Sequence, residues 1–338
     1  MSGKRFALLC CLMLASAVGA SLAVVMLAAP RLHVAPKFVL VTSGQEAHQQ
    51  AVAFGAQAAA RELGVNLVVE QLSPGSLHGA AESMSGVSLE GINGIVVCQS
   101  ANMPMPLAVQ SLAKKTNVIT CGEDASPAYR LCHFGTGDYS AGRICANMVM
   151  QALPAGGRVV VLVDDAAQGR GSERLQGLRE NLKGSDGADR RGQSPRFEIC
   201  ECFEDYGHVG LCARNMRLGM AQRPDAVCVV DLGVRTARSG IGPLAAIAQA
   251  TGVKLVTFDR SDAALTAVEA GDVFAVIGND PFAEGYQAIH RLASMCREGD
   301  LSRPVPGKGT VNVPAAVVCQ DNIAEYRVLL AGGKAPAA

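Results

Sequence analysis

The stretch Gly135-Thr136-Gly137-Asp138-Tyr139-Ser140-Ala141-Gly142-Arg143 divides the chain into two halves of the same design. Asp138 or Ser140 can cap an incoming helix, and the glycines relieve the backbone where one half gives way to the next. Five short apolar strand candidates precede it, at 38–43, 66–72, 94–99, 117–121 and 131–135. Five follow, at 158–164, 197–203, 226–231, 254–259 and 273–279. Helical segments fall between them. In the first half they run over about 47–63, 77–84 and 107–115, and in the second over 140–153, 172–182, 209–222, 243–251 and 263–270. A further helix is expected at 282–298, and 311–320 reads as one last extended segment. The alanine-rich 56–60 favours helix, with Gly64 as its C-cap. The apolar run 67–69 predicts a strand buried on both faces. Strand–helix alternation implies parallel sheets with right-handed crossovers, an α/β architecture.

A chain of 338 residues accommodates two domains. Each would have roughly 140 residues, enough for its own core. A hydrophobic content of 49% excludes a disordered chain. The 30 basic and 30 acidic residues balance, and no basic run follows the leader, which excludes a nucleic-acid partner. The leader itself carries Lys4 and Arg5, then an uncharged run from Phe6 to Ala29. Small residues at Val18-Gly19-Ala20 fit a secretory signal cleaved after Ala20. The run is also long enough, at about 24 residues, to stay as a membrane anchor. Either alternative places the rest of the chain in the periplasm or elsewhere outside the cytoplasm, tethered to the inner membrane in the second case.

Of the 12 cysteines, Cys10 and Cys11 lie in the leader. Cys98, Cys121, Cys132, Cys200 and Cys228 fall inside strand candidates, where a thiol acts as a small buried hydrophobe. A strand would put Cys200 and Cys202 on one face, and a Cys202–Cys212 bridge is open. No Cys-x-x-Cys or paired His completes a metal site.

Several strings resemble the type I periplasmic binding proteins of the ribose and xylose receptor kind, over roughly residues 37–328. They are Gly55 with 58–64, 91–97, the dividing stretch 135–143, Glu173-Arg174-Leu175-Gln176-Gly177, Thr257-Phe258-Asp259, Asp280-Pro281-Phe282 with Gly285-Tyr286, and Gln320-Asp321-Asn322. The resemblance implies two Rossmann-like lobes joined by a three-segment hinge near 134–136, 279–281 and 309–313. The leader would be residues 1–35, the N-terminal lobe 36–135 plus 280–310, and the C-terminal lobe 136–279 plus 311–330.

In such sheets ligands bind beyond the carboxyl ends of the strands. The ligand candidates at those ends are Glu46, His48, Gln49 and Asp124 in the first half, and Arg170, Asp231, Asp259 and Asn279 in the second. The resemblance implies carboxylates, Asn and Arg bonded to sugar hydroxyls, with aromatic rings stacked on the sugar. Asp259 and Asn279 match that pattern. His48 and Gln49 stand where the aromatic pair is expected, Gly122 and Glu123 alter the string ending at Asp124, and Ser172 replaces an Arg, with Arg170 nearby. These departures favour a more polar or charged ligand. Arg174 reads as a structural ion pair, and Cys98 and Cys121, which end adjacent strands near the cleft floor, read as packing.

No nucleophile elbow, zinc signature or phosphate loop is present in the sequence, and no enzyme activity or cofactor is expected. A repressor on this fold would need a basic helix-turn-helix where the apolar leader stands. The expected function is an extracytoplasmic solute-binding protein, closing two lobes around a sugar or sugar-like ligand for an ABC importer. The alternatives are a membrane-anchored sensor signalling to a partner such as a histidine kinase, and a degenerate member with a non-sugar ligand.

Overall fold

Strands β1 (Lys37–Thr42), β3 (Gly94–Gln99) and β4 (Val118–Gly122) form the centre of the first sheet, and almost every residue in them is buried. The computed structural model describes residues 35–42, 47–71, 90–99, 106–122, 124, 129–184, 196–233, 240–258, 260–297 and 309–330. The helix expected at 77–84 and the loop at 185–195 lie outside them. Adding β2 (Asn66–Gln71), β5 (Cys132–Gly135) and β11 (Thr310–Asn312) gives a six-stranded sheet of order β11-β5-β4-β3-β1-β2, parallel throughout. The second sheet has β6 (Gly157–Val163), β7 (Phe197–Glu204), β8 (Ala226–Asp231), β9 (Lys254–Thr257), β10 (Ala275–Gly278) and β12 (Ala316–Cys319). Its order is β12-β10-β9-β8-β6-β7, and only β12 runs antiparallel.

The helices cover both faces of each sheet, so each lobe has two cores. In the first lobe α1 (Ala47–Leu63) and α8 (Pro281–Arg297) pack on one face and α2 (Pro106–Ala113) on the other. In the second lobe α3 (Asp138–Ala152) and α4 (Gly169–Gly184) share one face. The other face holds α5 (Val209–Gln222), α6 (Ile241–Thr251) and α7 (Asp262–Ala270), with Ile323 of α9 (Ile323–Leu330) packed there too. The chain crosses between sheets three times: after β5, after β10 and after β11.

Glycines set the two tightest helix contacts. A Cβ on Gly55 of α1 would collide with the backbone carbonyl of Phe282, and one on Gly285 of α8 with that of Val52. In the second lobe Gly142 of α3 meets the carbonyl of Arg174, and Gly177 of α4 that of Tyr139. All four glycines belong to the strings that carry the family resemblance, so close helix crossing is the physical content of those strings.

Four local expectations are corrected. Strand β2 ends the sheet with Val68 and Val69 exposed, because no strand among the described residues pairs beyond it. The tail is two strands in different sheets, broken around Pro314, so the third crossing follows Asn312. The register of β7 shifts at Cys200, since Ile199 pairs with Val159 and Glu201 with Val160. That bulge sends Cys200 to the core beneath α5–α7 and Cys202 to the core beneath α3 and α4. Cys212 lies in the former core, so Cys202 and Cys212 are on opposite faces and cannot bridge; all ten described cysteines are free thiols. Finally, Gly137 is the N-cap of α3 and makes no side-chain cap bond; Asp138 faces arginines instead.

Candidate functional site

Parallel strands end together, so the carboxyl ends of each sheet gather residues distant in sequence. At that end of the first lobe, His48 sits in the opening turn of α1, against Glu284 of α8. Glu284 is fully buried. Its Oε2 lies 3.5 Å from His48 Nε2 and accepts a hydrogen bond from the Gly122 amide at 3.3 Å. Glu284 Oε1 has no hydrogen-bond partner, and His48 Nε2 makes no well-formed hydrogen bond of its own. The His48–Glu284 attraction is therefore chiefly one of charge. Gln49 is buried beside them in α1. Glu46 lies outside the described residues.

Beneath this pair, Cys98 and Cys121 are in register on β3 and β4, and both are fully buried. Burial works against a charge on His48, but contacts with Cys98 and Glu284 outweigh it and raise its pKa to about 9. A hydrogen bond from Cys121, opposed by burial and assisted by His48, lowers the Cys98 pKa to about 7. The same bond with Cys98, together with burial, pushes Cys121 well above the ordinary thiol value. The two thiols are thus pushed in opposite directions, Cys98 down and Cys121 up.

Asp124 does not join this group. It receives a two-pronged ion pair from Arg130, with Nε–Oδ1 and Nη2–Oδ2 both 2.5 Å, and a hydrogen bond from Thr120 at 3.1 Å. Thr120 and His133 point to the sheet face opposite Cys121, so Asp124 turns back along the α2 side.

In the second lobe Asp138 accepts from Arg170 Nε at 3.0 Å and Arg174 Nε at 2.7 Å. Arg174 is buried, donates to the Leu232 carbonyl at 3.0 Å and stacks 4.2 Å above the Phe258 ring. Arg170 is the outer of the two, with 41% of its side chain exposed. Asp231 is fully buried and holds its own loop: Thr257 Oγ1 donates to Oδ2 at 2.9 Å and the Gly233 amide to Oδ1 at 3.1 Å. Asp205 likewise accepts from the Gly207 amide at 2.7 Å. Asn279 ends the β10 crossing half-buried, with no side-chain hydrogen bond among the described residues. Asp259 lies outside the described residues; its neighbour Arg260 runs along Gly278 and donates to the Tyr326 hydroxyl at 2.8 Å.

The structure thus gathers His48 and Gln49 at one lobe's strand ends and Arg170 and Asn279 at the other's. Asp124 is paired with Arg130 and Thr120 but keeps 35% of its side chain exposed, whereas Asp231 is fully buried. Glu284 escaped the sequence reading, although the strings on either side of it, 280–282 and 285–286, had marked its helix. A hollow of about 580 Å³ lined by Asn93, Lys114, Asn117, Tyr129 and Arg130 opens at the amino ends of β3 and β4, the wrong end for a ligand in this architecture. Among the described residues no three His, Cys, Asp or Glu side chains converge as a metal site, and no helix is long and apolar enough to cross a membrane.

The family model described as the periplasmic binding protein domain matches residues 35–300. No curated protein matches the chain. Among solved structures, an arabinose-binding protein from Geobacillus stearothermophilus is similar at 20% identity and a TM-score of 0.68, over 86% of this chain and 99% of that one. A XylFII–LytSN complex has 16% identity and a TM-score of 0.67, with the same coverages. The sugar-binding protein of a sugar ABC transporter from Bacillus halodurans has 16% identity and a TM-score of 0.66, again over 86% and 99%. With two cored sheets, three crossings and this match over most of its length, the chain belongs to the periplasmic binding protein domain family.

Proposed function

We propose that this protein is an extracytoplasmic solute-binding protein that closes its two lobes around a small polar ligand, sugar or sugar-like, and hands it to an ABC importer. The observation that carries this reading is the threefold crossing between two separately cored sheets. Three short connections let two rigid bodies pivot, and a ligand touching both shifts the open–closed equilibrium. The lobes divide as 36–135 with 280–313 and 136–279 with 314–330, the expected boundary after 310 moving because β11 pairs with β5 and Val313 packs in the first lobe's core. In this reading His48 and Gln49 serve one side of the ligand, with Glu46 beside them, and Arg170, Asn279 and Asp259 serve the other.

A thermal-shift screen of sugars, polyols, nucleosides and amino acids tests it, since a ligand bound by the folded state raises the melting temperature by mass action. Asp259→Ala should weaken the hit by about 2–3 kcal/mol, the worth of a charge-assisted hydrogen bond. Unchanged affinity in calorimetry removes Asp259 from the site, and silence across a broad panel ends the transport reading.

The second reading is a membrane-anchored sensor. The uncharged run from Phe6 to Ala29 supports it, and the XylFII–LytSN complex is a precedent for a partnered relative of this fold. N-terminal sequencing of the exported protein separates the two: a start near Ser21 favours the transport receptor, an intact leader the sensor.

A further inference from the structure

The hollow at the amino ends of β3 and β4 has no task in the transport reading, which uses the carboxyl ends of the strands. Its volume of about 580 Å³ is that of a small-molecule site. No carboxylate lines it, whereas Lys114, Lys115 and Arg130 do. Arg130 forms a buried wall: its side chain is 2% exposed, and its guanidinium is taken up by Asp124 and the Gly309 carbonyl. Lys114 and Lys115 follow directly on α2, in a turn held by the bond from the Lys115 amide to the Leu112 carbonyl at 2.8 Å. Both are exposed, and neither ammonium has a hydrogen-bond or ion-pair partner among the described residues. The hollow therefore carries two uncompensated positive charges, and a concavity lined by one sign of charge concentrates the field on whatever enters it.

The neutral groups are set to donate. Asn93 Oδ1 accepts from the Lys37 amide at 2.9 Å, which leaves Asn93 Nδ2 as a donor. The Asn93 carbonyl accepts from Asn117 Nδ2 at 3.4 Å, which ties the approach to β3 to the approach to β4. The Tyr129 ring packs on the core beneath α2, and its hydroxyl has no partner among the described residues.

We propose that this hollow binds a phosphoryl group, with Lys114 and Lys115 matching its charge and Asn93 and Tyr129 donating to its oxygens. That chemistry has two sources, a soluble phosphate ester or a phospholipid headgroup. The second is at issue because the rim begins at Lys37, shortly after the uncharged run from Phe6 to Ala29 in the sequence. The site lies at the opposite end of the strands from the ligand candidates, so it stands or falls separately from the transport reading.

The test titrates the full-length protein with glycerol phosphate in a calorimeter at fixed ionic strength, with glycerol as the neutral control. A second arm sediments the protein with vesicles of phosphatidylglycerol or of phosphatidylcholine. Saturable binding of glycerol phosphate and none of glycerol is expected. The double variant Lys114→Gln with Lys115→Gln should weaken it about tenfold, and both side chains are exposed, so the fold should survive. Lys183→Gln with Lys254→Gln removes two exposed cations from the other lobe and should leave the affinity unchanged. Retention on phosphatidylglycerol alone, lost in the first double variant and kept in the second, would also support the proposal and would name the headgroup as the source. Equal weakening by both double variants would reduce the effect to net charge and overturn the proposal. So would an unchanged affinity in the first double variant, or no binding in either arm.

Discussion

In the first lobe α1 and α8 cross through Gly55 and Gly285; in the second α3 and α4 cross through Gly142 and Gly177. The backbone device is the same, and the charge above it is not. The second lobe pairs Asp138 with two arginines and encloses Asp231 in hydrogen bonds from Thr257 and Gly233. The first lobe buries Glu284 with one oxygen lacking a hydrogen bond and sets it against a histidine and two thiols. A helix crossing is a demand of the fold and appears twice. An incompletely satisfied buried carboxylate is costly, so a fold has no reason of its own to repeat it. What sets the first lobe apart is that its fully buried carboxylate faces a histidine.

The largest expected effect tests the equivalence of the crossings. Gly285→Val and Gly177→Val should each abolish folding, and Gly55→Ala and Gly142→Ala should each cost about 3 kcal/mol in urea denaturation, because the new carbon meets backbone rather than a movable side chain. If one lobe tolerates its alanine, the crossings are not equivalent. Next, Arg174→Met should cost about 3 kcal/mol, since it removes a buried partner of Asp138 and leaves the Leu232 carbonyl without its donor. The matching change in the first lobe, Glu284→Gln, should lower the His48 titration from about 9, followed by NMR of the imidazole.

A smaller effect concerns pH. His48 is raised in the folded state, so its contribution is full below 6.5 and is lost as pH rises through about 9. Cys98 is lowered, so its contribution is full above 9 and is lost as pH falls through about 7. Between 7 and 9 the two slopes oppose each other, and wild-type stability should be nearly flat. Cys98→Ser removes the rising component together with the largest contact that raises His48, so the falling component shrinks as well and the variant's profile should stay nearly flat. A steep fall between 7 and 9 in the variant would show that Cys98 does not help hold the His48 proton. Smallest of all, Arg170→Ala should cost under about 1 kcal/mol of stability, because its half-exposed pair with Asp138 is screened and Arg174 remains. Its effect on ligand affinity is the sharper measure of whether the second lobe's outer arginine faces the ligand.

Much of the fold was legible because strands and helices announce themselves locally. The run Val159–Val163 could only be a buried strand, and the glycines at 55, 142, 177 and 285 stood inside strings that marked the family. The errors have one cause. Whether 67–69 is central or an edge, whether 311–320 is one strand or two, and which face Cys200 takes all depend on neighbours supplied by distant parts of the chain. Of the candidate site only the positions along the strands were legible. His48, Gln49, Arg170 and Asn279 could be placed at strand ends by counting along each half. The pairing of Asp124 with Arg130 and of Asp231 with Thr257 could not be read, because these contacts form only once the sheets are assembled.

By itself the sequence determined an α/β chain of two similar halves behind an apolar leader, since hydrophobic periodicity and turn residues act within a few positions. Only the tertiary structure decided that Glu284, from the helix that returns after the second crossing, lies over the in-register pair Cys98 and Cys121 beside His48. Parallel sheets bring the ends of separate strands to one edge, and a returning helix delivers a side chain there from far along the chain. Proximity of that kind carries no local signature in the order of residues.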